Sequence, residues 1–205
     1  MGEGAIISTA RVKDIDGPSI KEGWNLIETD AAVAFPALIK KFSHRFQKIL
    51  WIDSSNQANT HYFESRPELL EKVSIARAFT ALQHHELCKN IGGYDLVVIP
   101  EIDRLYQESS LYRSEAVELF EEMLNYLGGS GRIIYSISTD LGRKAETLKD
   151  HRIEVESTDQ GLKYSDSGSV TRSYYLRNCI QTTVPAYEEV NRKKWEEPIR
   201  PTETV

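Results

Sequence analysis

The sequence predicts an α/β domain with a mainly parallel central sheet, flanked by helices and followed by antiparallel strands. Up to Leu148, short apolar segments alternate with helical patterns, which is the order typical of parallel sheets. One segment, Leu96–Ile99, is an unbroken apolar run, as expected for a strand that is covered on both faces. After Leu148, short strand patterns alternate with turn residues, which favours antiparallel pairing.

The first elements are predicted from the spacing of apolar residues. A strand at residues 24–28 precedes a helix at residues 35–46, whose apolar residues share one face and whose proline falls in the first turn. A buried strand at residues 48–53 then ends in a polar turn. Residues 66–72 have a helical pattern, and residues 73–79 are rich in β-branched and apolar side chains typical of a strand.

The same spacing predicts the second half of the domain. A helix at residues 80–91 leads to the apolar strand at residues 94–99, and an amphipathic helix at residues 115–127 ends at a glycine-rich turn. A further strand is expected at residues 132–137. The antiparallel strands are expected at residues 153–156, 162–164 and 170–176.

Length and charge limit the possible classes of protein. The chain has 205 residues, of which 40% are hydrophobic, and its net charge is -6. This suits one ordinary domain, with residues 1–16 as an N-terminal arm, 17–190 as the domain and 191–205 as a flexible tail. No apolar run approaches the roughly 20 residues of a membrane-spanning helix, and we expect no membrane association. The acidic balance argues against a surface that binds nucleic acid over its whole area, and is compatible with a local basic patch.

The two cysteines indicate the compartment. Cys88 and Cys179 lie far apart in the sequence and form no CxxC motif, which suits a reducing environment and excludes a zinc quartet. The first residues also lack the pattern of a secretion signal. We therefore expect an intracellular protein, cytoplasmic in an archaeal cell or nuclear in a eukaryotic one.

Four segments together resemble the core of RecA/RadA-type recombinases in order and spacing. Residues 17–28 are similar to the segment that leads into the phosphate loop of that family, and residues 51–55 to its second core strand. Residues 75–87, which contain IARAF and QHHEL, resemble its ARAF strand end and the helix that follows, and residues 94–99 resemble its metal-site strand. The resemblance covers residues 17–176 and implies a RecA-like fold.

The phosphate loop itself is missing. It requires the spacing GxxxxGK[ST], because backbone N–H groups and a lysine hold the phosphates while the hydroxyl holds magnesium. Residues 28–35, ETDAAVAF, contain no glycine and no lysine, and Asp30 would repel a phosphate. Phe35 and Pro36 occupy the start of the helix that would otherwise face the anion.

Two further parts of the implied active site are also absent. Ser55 stands where the resemblance implies the catalytic glutamate, and Pro100 where it implies the metal-binding aspartate. Since phosphoryl transfer needs all three parts together, the sequence predicts no ATPase and no cofactor. As an alternative, Asp53, Glu101 or Asp103 bind a metal at the strand ends, although acids there are more often solvated or capping residues.

The resemblance also implies two loops that contact DNA. The candidates for this contact are Tyr106, Tyr112 and Arg113 in the first loop and Arg143 and Lys144 in the second, since aromatic and arginine side chains stack on bases of single strands. As an alternative, both tyrosines pack on the sheet edge and the basic pair caps a helix. The negative net charge favours this alternative, or weak and indirect contact with single-stranded DNA within a larger assembly.

A partner-binding motif is implied before the core. Recombinases of this family join their neighbours through the tetrapeptide Phe-x-x-Ala, and residues 7–10, with sequence ISTA, lie at the comparable place. Ile7 and Ala10 are therefore candidate partner-binding residues. As an alternative, Ile6 and Ile7 form a short strand or cover the core.

Other reactive residues favour structural roles. His84 and Cys88 share a helix face at spacing i,i+4, and His85 does not. A lone His–Cys pair lacks the third and fourth ligands of a metal site. No serine has the glycine-flanked surroundings of a hydrolase nucleophile.

These features predict a non-catalytic RecA-fold recombinase paralogue that binds a RadA-like recombinase or a sister paralogue. Such a protein would modulate the recombinase filament in homologous recombination and DNA repair. Two alternatives stay open. One is an ATP-less subunit of another RecA-fold assembly, KaiC-like or Elongator-like, and the other is a divergent nucleotide hydrolase that uses Asp53, Glu101 and Asp103.

Overall fold

Eight strands form one sheet in the order β3-β2-β4-β5-β1-β6-β7-β8. The strands are β1 (Gly23–Thr29), β2 (Ile49–Asp53), β3 (Val73–Arg77), β4 (Leu96–Ile99), β5 (Arg132–Tyr135), β6 (His151–Thr158), β7 (Gly161–Asp166) and β8 (Arg172–Leu176). The first six strands run parallel, and β7 is antiparallel to both β6 and β8. This confirms the predicted α/β class and is consistent with a RecA-like layout.

The computed structural model describes residues 20–31, 33–64, 66–158, 161–166 and 172–176. The predicted arm and tail lie outside the described residues, as do Ile7, Ala10 and Cys179. Among the helices of the described part, none combines the length and the apolar character needed to cross a membrane.

Helices cover both faces of the sheet and create two cores. The helices are α1 (Ala34–Phe42), α2 (Ala81–Lys89), α3 (Arg104–Gln107), α4 (Arg113–Leu127) and α5 (Arg143–Glu146). On one face, Leu38 and Phe42 of α1 are buried in one cluster with Trp51. On the other face, Phe120 of α4 is buried in a second cluster with Ile52. Successive side chains of each central strand thus enter opposite cores, which explains why these strands are apolar throughout.

Several predicted boundaries differ from those observed. The helix predicted at residues 35–46 ends at Phe42 and continues as a 3-10 turn, Ser43–Arg45. The helical pattern at residues 66–72 yields only the 3-10 turn Pro67–Leu69.

The expected antiparallel pairing of β6 is confirmed on one of its two edges. The sequence predicted antiparallel strands from residue 153 onward, but β6 is parallel to β1, with Ile153 opposite Ile27. Only the other edge of β6 is antiparallel, to β7. Buried Ile153 and Val155 alternate with exposed Glu154 and Glu156, a pattern that is typical of antiparallel strands with one solvated face. It arises here in a parallel strand with one exposed face.

The connections between strands leave two crevices at the carboxyl edge of the sheet. The segments after β1 and β2 pack on the face that α1 covers, and those after β3, β4 and β5 pack on the opposite face. Neighbouring strands whose connections diverge in this way leave a crevice outside their carboxyl ends. Such divergence occurs between β1 and β5, and again between β2 and its neighbours β3 and β4.

Candidate functional site at the carboxyl edge of the sheet

The first cleft lies between the ends of β1 and β5 and has a volume of about 640 Å³. Glu28 and Thr29 line it from β1, and Asp140, Arg143 and Glu146 line it from the segment after β5. This is the position at which the resemblance implies the phosphate loop. We refer to it as the β1–β5 cleft.

Ion pairs occupy the wall of the β1–β5 cleft. Glu28 accepts a hydrogen bond from Arg152 Nε at 2.8 Å, and Asp140 lies 3.0 Å from the guanidinium of Arg143. A hydrogen bond from Lys149, followed by the charge of that lysine, lowers the pKa of Glu146. Each of these three carboxylates is thus paired with a cation, and Arg143, the arginine among the lining residues, is engaged by Asp140. The cleft therefore offers little positive charge to an oligophosphate.

The start of α1 is not arranged as an anion site. Val33 provides no side-chain cap, and Ala34 and Phe35 are buried in the core. Ala34 N donates to the carbonyl of Ala31 at 2.9 Å, and Pro36, in the first turn, has no N–H to offer. Since a phosphate-binding helix presents free N–H groups to its ligand, this end of α1 lacks the geometry that the chemistry requires.

A buried carboxylate, Asp103, fixes the segment after β5. Asp103 Oδ1 accepts hydrogen bonds from Ser138 N at 2.9 Å and from Ser138 Oγ at 3.2 Å. Its Oδ2 accepts from Thr139 N at 2.6 Å, Thr139 Oγ1 at 2.5 Å and Gly142 N at 3.2 Å. A Cβ atom at Gly142 would lie only 2.7 Å from Asp103 Oδ2. The turn at residues 138–142 is thus built around this carboxylate and needs glycine at its end.

Asp53, another candidate metal ligand, also serves the backbone. It is buried at the end of β2 and accepts hydrogen bonds from Gln57 N at 2.9 Å and Ala58 N at 3.1 Å. Arg77 Nε lies 3.5 Å from its Oδ2. Asp53 therefore organises the turn that follows β2.

Glu101 completes the set of acids at the strand ends. It accepts hydrogen bonds from Arg104 Nη1 at 2.8 Å and from Gln57 Nε2 at 3.1 Å. Within the described residues, no group of three or more His, Cys, Asp or Glu side chains is arranged to hold a metal ion. The oxygens of Asp53, Glu101 and Asp103 instead accept hydrogen bonds from nearby protein donors.

The second cleft lies between the ends of β2, β3 and β4 and has a volume of about 240 Å³. We refer to it as the β2–β4 cleft. Residues 53–56 and 77–79 line it, together with Arg104, Leu105 and Glu108. β4 ends at Ile99, directly before Pro100, as the missing donor of proline predicts.

The structure corrects one of the DNA-contact candidates. Tyr106 is only 1% exposed, its ring packs on Phe120, and its hydroxyl oxygen lies 3.0 Å from His84 Nδ1. It is therefore not accessible for stacking on a base. Tyr112, by contrast, is 79% exposed and precedes α4, where its N–H donates to Glu115.

The remaining basic candidates lie near carboxylates or at the surface. Arg143 and Lys144 begin α5, and they pair with Asp140 and Glu121, respectively. Arg113 is exposed at the start of α4. DNA contact by these cations and by Tyr112 stays a prediction.

The His84–Cys88 pair contributes to the packing between α2 and α3. His84 is fully buried, and Cys88 Sγ lies 3.9 Å from its Nδ1. Burial, and then the charge of neighbouring His85, lower the pKa of His84 to about 4. Burial raises the pKa of the Cys88 thiol, which makes the thiolate unfavourable and the sulfur unreactive.

The sequence placed Asp103 among acids that bind a metal or act as solvated or capping residues, and it did not predict the turn that this carboxylate holds. One sequence signal was present, since Ser138, Thr139 and Gly142 follow directly after an apolar strand. Hydroxyl residues near a glycine favour a turn with side-chain hydrogen bonds. The pattern did not reveal which carboxylate would accept them.

The fold and this edge define an α/β protein with a RecA-like layout and carboxylates at the β1–β5 cleft. No protein-family model matches the chain, and no curated protein matches it either.

Proposed function

We propose that this chain is a non-catalytic RecA-fold recombinase paralogue that binds a RadA-like recombinase or a sister paralogue. It would modulate the partner's filament in homologous recombination and DNA repair. The resemblance of residues 17–176 to RecA/RadA-type recombinases favours a recombinase paralogue over a subunit of another RecA-fold assembly. The observation that supports the proposal is that Glu28, Asp140 and Glu146 line the β1–β5 cleft, where the resemblance implies phosphate-binding groups.

Without a phosphate loop, the proposed protein would have no nucleotide-dependent change of conformation. In a nucleotide-driven protein, the γ-phosphate favours one of two conformations. A chain that binds no nucleotide has no such bias, and its effect on a filament would be constitutive. We infer that it acts as a permanent wedge or bridge at a filament end.

A free sheet edge supports a protein partner. Among the described strands, β3 is terminal and pairs only with β2. Ile49 N donates to the carbonyl of Lys72, and Ala78 N donates to that of Asp53. By alternation, the backbone groups of Val73 and Ile75 point away from β2. An exposed edge of this kind can accept a further strand.

Exposed apolar side chains lie beside this edge. Phe79 is 74% exposed and Leu82 is 57% exposed. Phe79 lies shortly after the end of β3, and Leu82 lies in the first turn of α2. Large apolar side chains grouped at a surface indicate an interaction site. We propose the edge of β3 and the start of α2 as a second contact surface for the partner, beside the candidate motif that contains Ile7 and Ala10.

The partner assignment is tested by affinity capture of the resident RadA-like recombinase on the tagged full chain. We expect Ala10→Glu to reduce capture about tenfold or more, because a buried contact of the alanine methyl cannot accommodate a charge. Ala5→Glu, which adds the same charge in the same segment, is the matched control and should capture as the wild type does. Unchanged capture by Ala10→Glu would exclude this motif, and copurification with a tRNA-modifying assembly would favour the Elongator-like alternative.

The non-catalytic assignment is tested by calorimetry with Mg-ATP. We expect no heat of binding, because the arginine that lines the β1–β5 cleft is already paired with Asp140 and the segment before α1 has no phosphate-binding glycines or lysine. The resident recombinase, titrated under the same conditions, is the positive control. A measurable heat that vanishes in Glu101→Gln would support the nucleotide hydrolase instead.

A further inference from the structure

We propose that the end of helix α1 carries a binding site for the phosphate backbone of double-stranded DNA. The site consists of Lys40, Lys41, Arg66 and Lys72, and we refer to it as the α1 patch. It lies at the amino edge of the sheet, because α1 ends there before β2 begins at Ile49. Both clefts lie at the opposite, carboxyl edge. The inference goes beyond the proposed function, since it requires no recombinase.

Three separate segments bring the four cations of the α1 patch together. Lys40 and Lys41 lie in the last turn of α1. Arg66 Nη1 donates to the carbonyl of Lys40 at 3.2 Å, and Lys72 Nζ donates to that of Ser43 at 3.3 Å. These two side chains thus reach the same helix end from residues that lie 26 and 29 positions further along the sequence.

The cations of the α1 patch are not neutralised by ion pairs. No carboxylate of the described residues lies within 4.0 Å of a charged nitrogen of any of the four. The carboxylates nearest in sequence, those of Glu64, Glu68 and Glu71, are exposed, and Glu64 pairs with His61 instead. The patch therefore keeps its positive charge in a protein whose net charge is -6.

The stabilisation of a helix end does not account for all of these cations. The last carbonyl groups of a helix carry partial negative charge, which nearby cations stabilise. Arg66 and Lys72 meet these carbonyls through hydrogen bonds. The ammonium groups of Lys40 and Lys41 make no hydrogen bond or ion pair to a described residue. Neighbouring cations repel each other, and a polyanion would relieve that repulsion.

The character of the surface favours a DNA duplex over a single strand or an acidic peptide. Single strands stack their bases on exposed aromatic side chains, but Phe42 and Phe46 are buried at this helix end. Protein interfaces have an apolar centre. Of the large apolar side chains that are exposed in the described residues, only Leu70 lies in the segments of the patch. A duplex instead presents closely spaced phosphates, about one per 1.7 Å of its axis.

The α1 patch is distinct from the basic pair that the resemblance associates with DNA. Arg143 and Lys144 pair with Asp140 and Glu121, respectively. Arg143 also lines the β1–β5 cleft, at the other edge of the sheet. The local basic patch that the acidic composition allows is therefore the end of α1, where the cations lack such partners among the described residues.

The test is fluorescence anisotropy of a labelled DNA duplex of about one and a half turns, titrated with the purified full chain. We expect a dissociation constant of roughly 1–100 μM, the range of sequence-independent binding. Each phosphate that a cation neutralises contributes about -0.9 to the slope of log K against log salt concentration. Four contacts predict a slope of about -3.6 and a loss of affinity of about a hundredfold between about 50 and 200 mM salt.

Two double variants with the same change of charge make the result specific to the patch. Lys40→Gln with Lys41→Gln should weaken duplex binding about tenfold or more at low salt and make the slope shallower by about 2. Lys89→Gln with Lys144→Gln, the matched control, removes two exposed lysines that are ion-paired with glutamates and should leave both quantities unchanged. Circular dichroism establishes that each variant is folded.

Several results would overturn the inference. One is the absence of duplex binding, or a wild-type affinity that does not depend on salt, and neither result requires a variant. Another is an equal loss in both double variants. Binding of one of the single strands, or of a blocked decaglutamate peptide, as tightly as the duplex would assign the patch to another ligand.

The DNA titration and the capture experiment fail independently, because the titration contains no recombinase. If the duplex binds at the α1 patch but no recombinase is captured, the proposed function is wrong and the inference stands. If the recombinase is captured and the duplex does not bind, the inference alone is wrong.

Discussion

Replacing Asp103 with alanine is expected to lower the free energy of unfolding by about 4 kcal/mol. The change removes the acceptor for the N–H groups of Ser138, Thr139 and Gly142. A buried donor that loses its partner costs about 1–3 kcal/mol, and Asp103 is fully buried beneath the turn. The cost therefore comes from several donors at once and from the cavity that the carboxylate leaves.

Urea denaturation, followed by circular dichroism, measures this loss. Asp103→Asn retains the shape and one acceptor oxygen, and we expect about half the loss, ~2 kcal/mol. Asp140→Ala is the matched control, because its side chain lies in the same turn but is 80% exposed. This control should change stability by no more than about 0.5 kcal/mol. An Asp103→Ala variant as stable as the control would show that the turn does not depend on the buried carboxylate.

The network of Asp103 also determines the shape of the β1–β5 cleft. Thr139 and Asp140 line the cleft, and the hydrogen bonds to Asp103 hold their turn in place. The second of the two loops that the resemblance associates with DNA is thus fixed at its start. We infer that this loop presents a constant surface, as the proposed function, which includes no nucleotide switch, would require.

The central strands were predictable because a strand that is buried on both faces has apolar residues at successive positions of its sequence. All residues of β2 and β4 are buried, and both strands were predicted within one or two residues. Helix α4 was predictable for a different reason, since buried Phe120 and Leu127 recur at helical spacing. In these elements, local pattern and tertiary environment agree.

The short helices and the burial of Tyr106 were not predictable from local pattern. Helix α3 has four residues, too few for a periodic signal. It turns the ring of Tyr106 toward His84 and Phe120, which lie in two other helices. The contacts that decide the exposure of this tyrosine join residues far apart in sequence. The local pattern therefore allowed both a packed and an exposed side chain, and only the negative net charge favoured the packed one.

In the candidate site, too, local features were predictable from the sequence and long-range contacts were not. The missing glycines and lysine of the phosphate loop are local features, and the sequence was sufficient to identify their absence. The hydrogen bonds of Asp103 connect residues 35–39 positions apart. The β2–β4 cleft combines residues from three strand ends. Only the strand order brings these groups together, so neither feature could be predicted without the topology.

Acidification is expected to destabilise the protein through His84. Its ring is fully buried, and its pKa in the folded state is about 4, below the value of about 6.5 for an unfolded chain. Above pH 6.5 the residue is neutral in both states and adds no pH dependence. As the pH falls through 6.5, the unfolded chain binds a proton that the folded protein does not, so stability decreases until the pH reaches about 4. The total loss is about 3 kcal/mol, with about 2 kcal/mol of it between pH 7 and 5.

Urea titrations at pH 7 and pH 5 isolate this contribution when the wild type is compared with His84→Asn. Asparagine places a polar atom near the position of Nδ1, which keeps a partner for the Tyr106 hydroxyl, but it does not titrate. The variant is expected to be less stable at pH 7, because a smaller side chain leaves a cavity, yet its loss between pH 7 and 5 should be smaller by about 2 kcal/mol. Acidic groups that titrate elsewhere act equally on both proteins and cancel in the difference.

His44→Asn removes an exposed histidine and should retain the pH dependence of the wild type. Equal losses in His84→Asn and the wild type would mean that His84 gains its proton as readily in the folded state as in the unfolded chain, in contradiction to its burial.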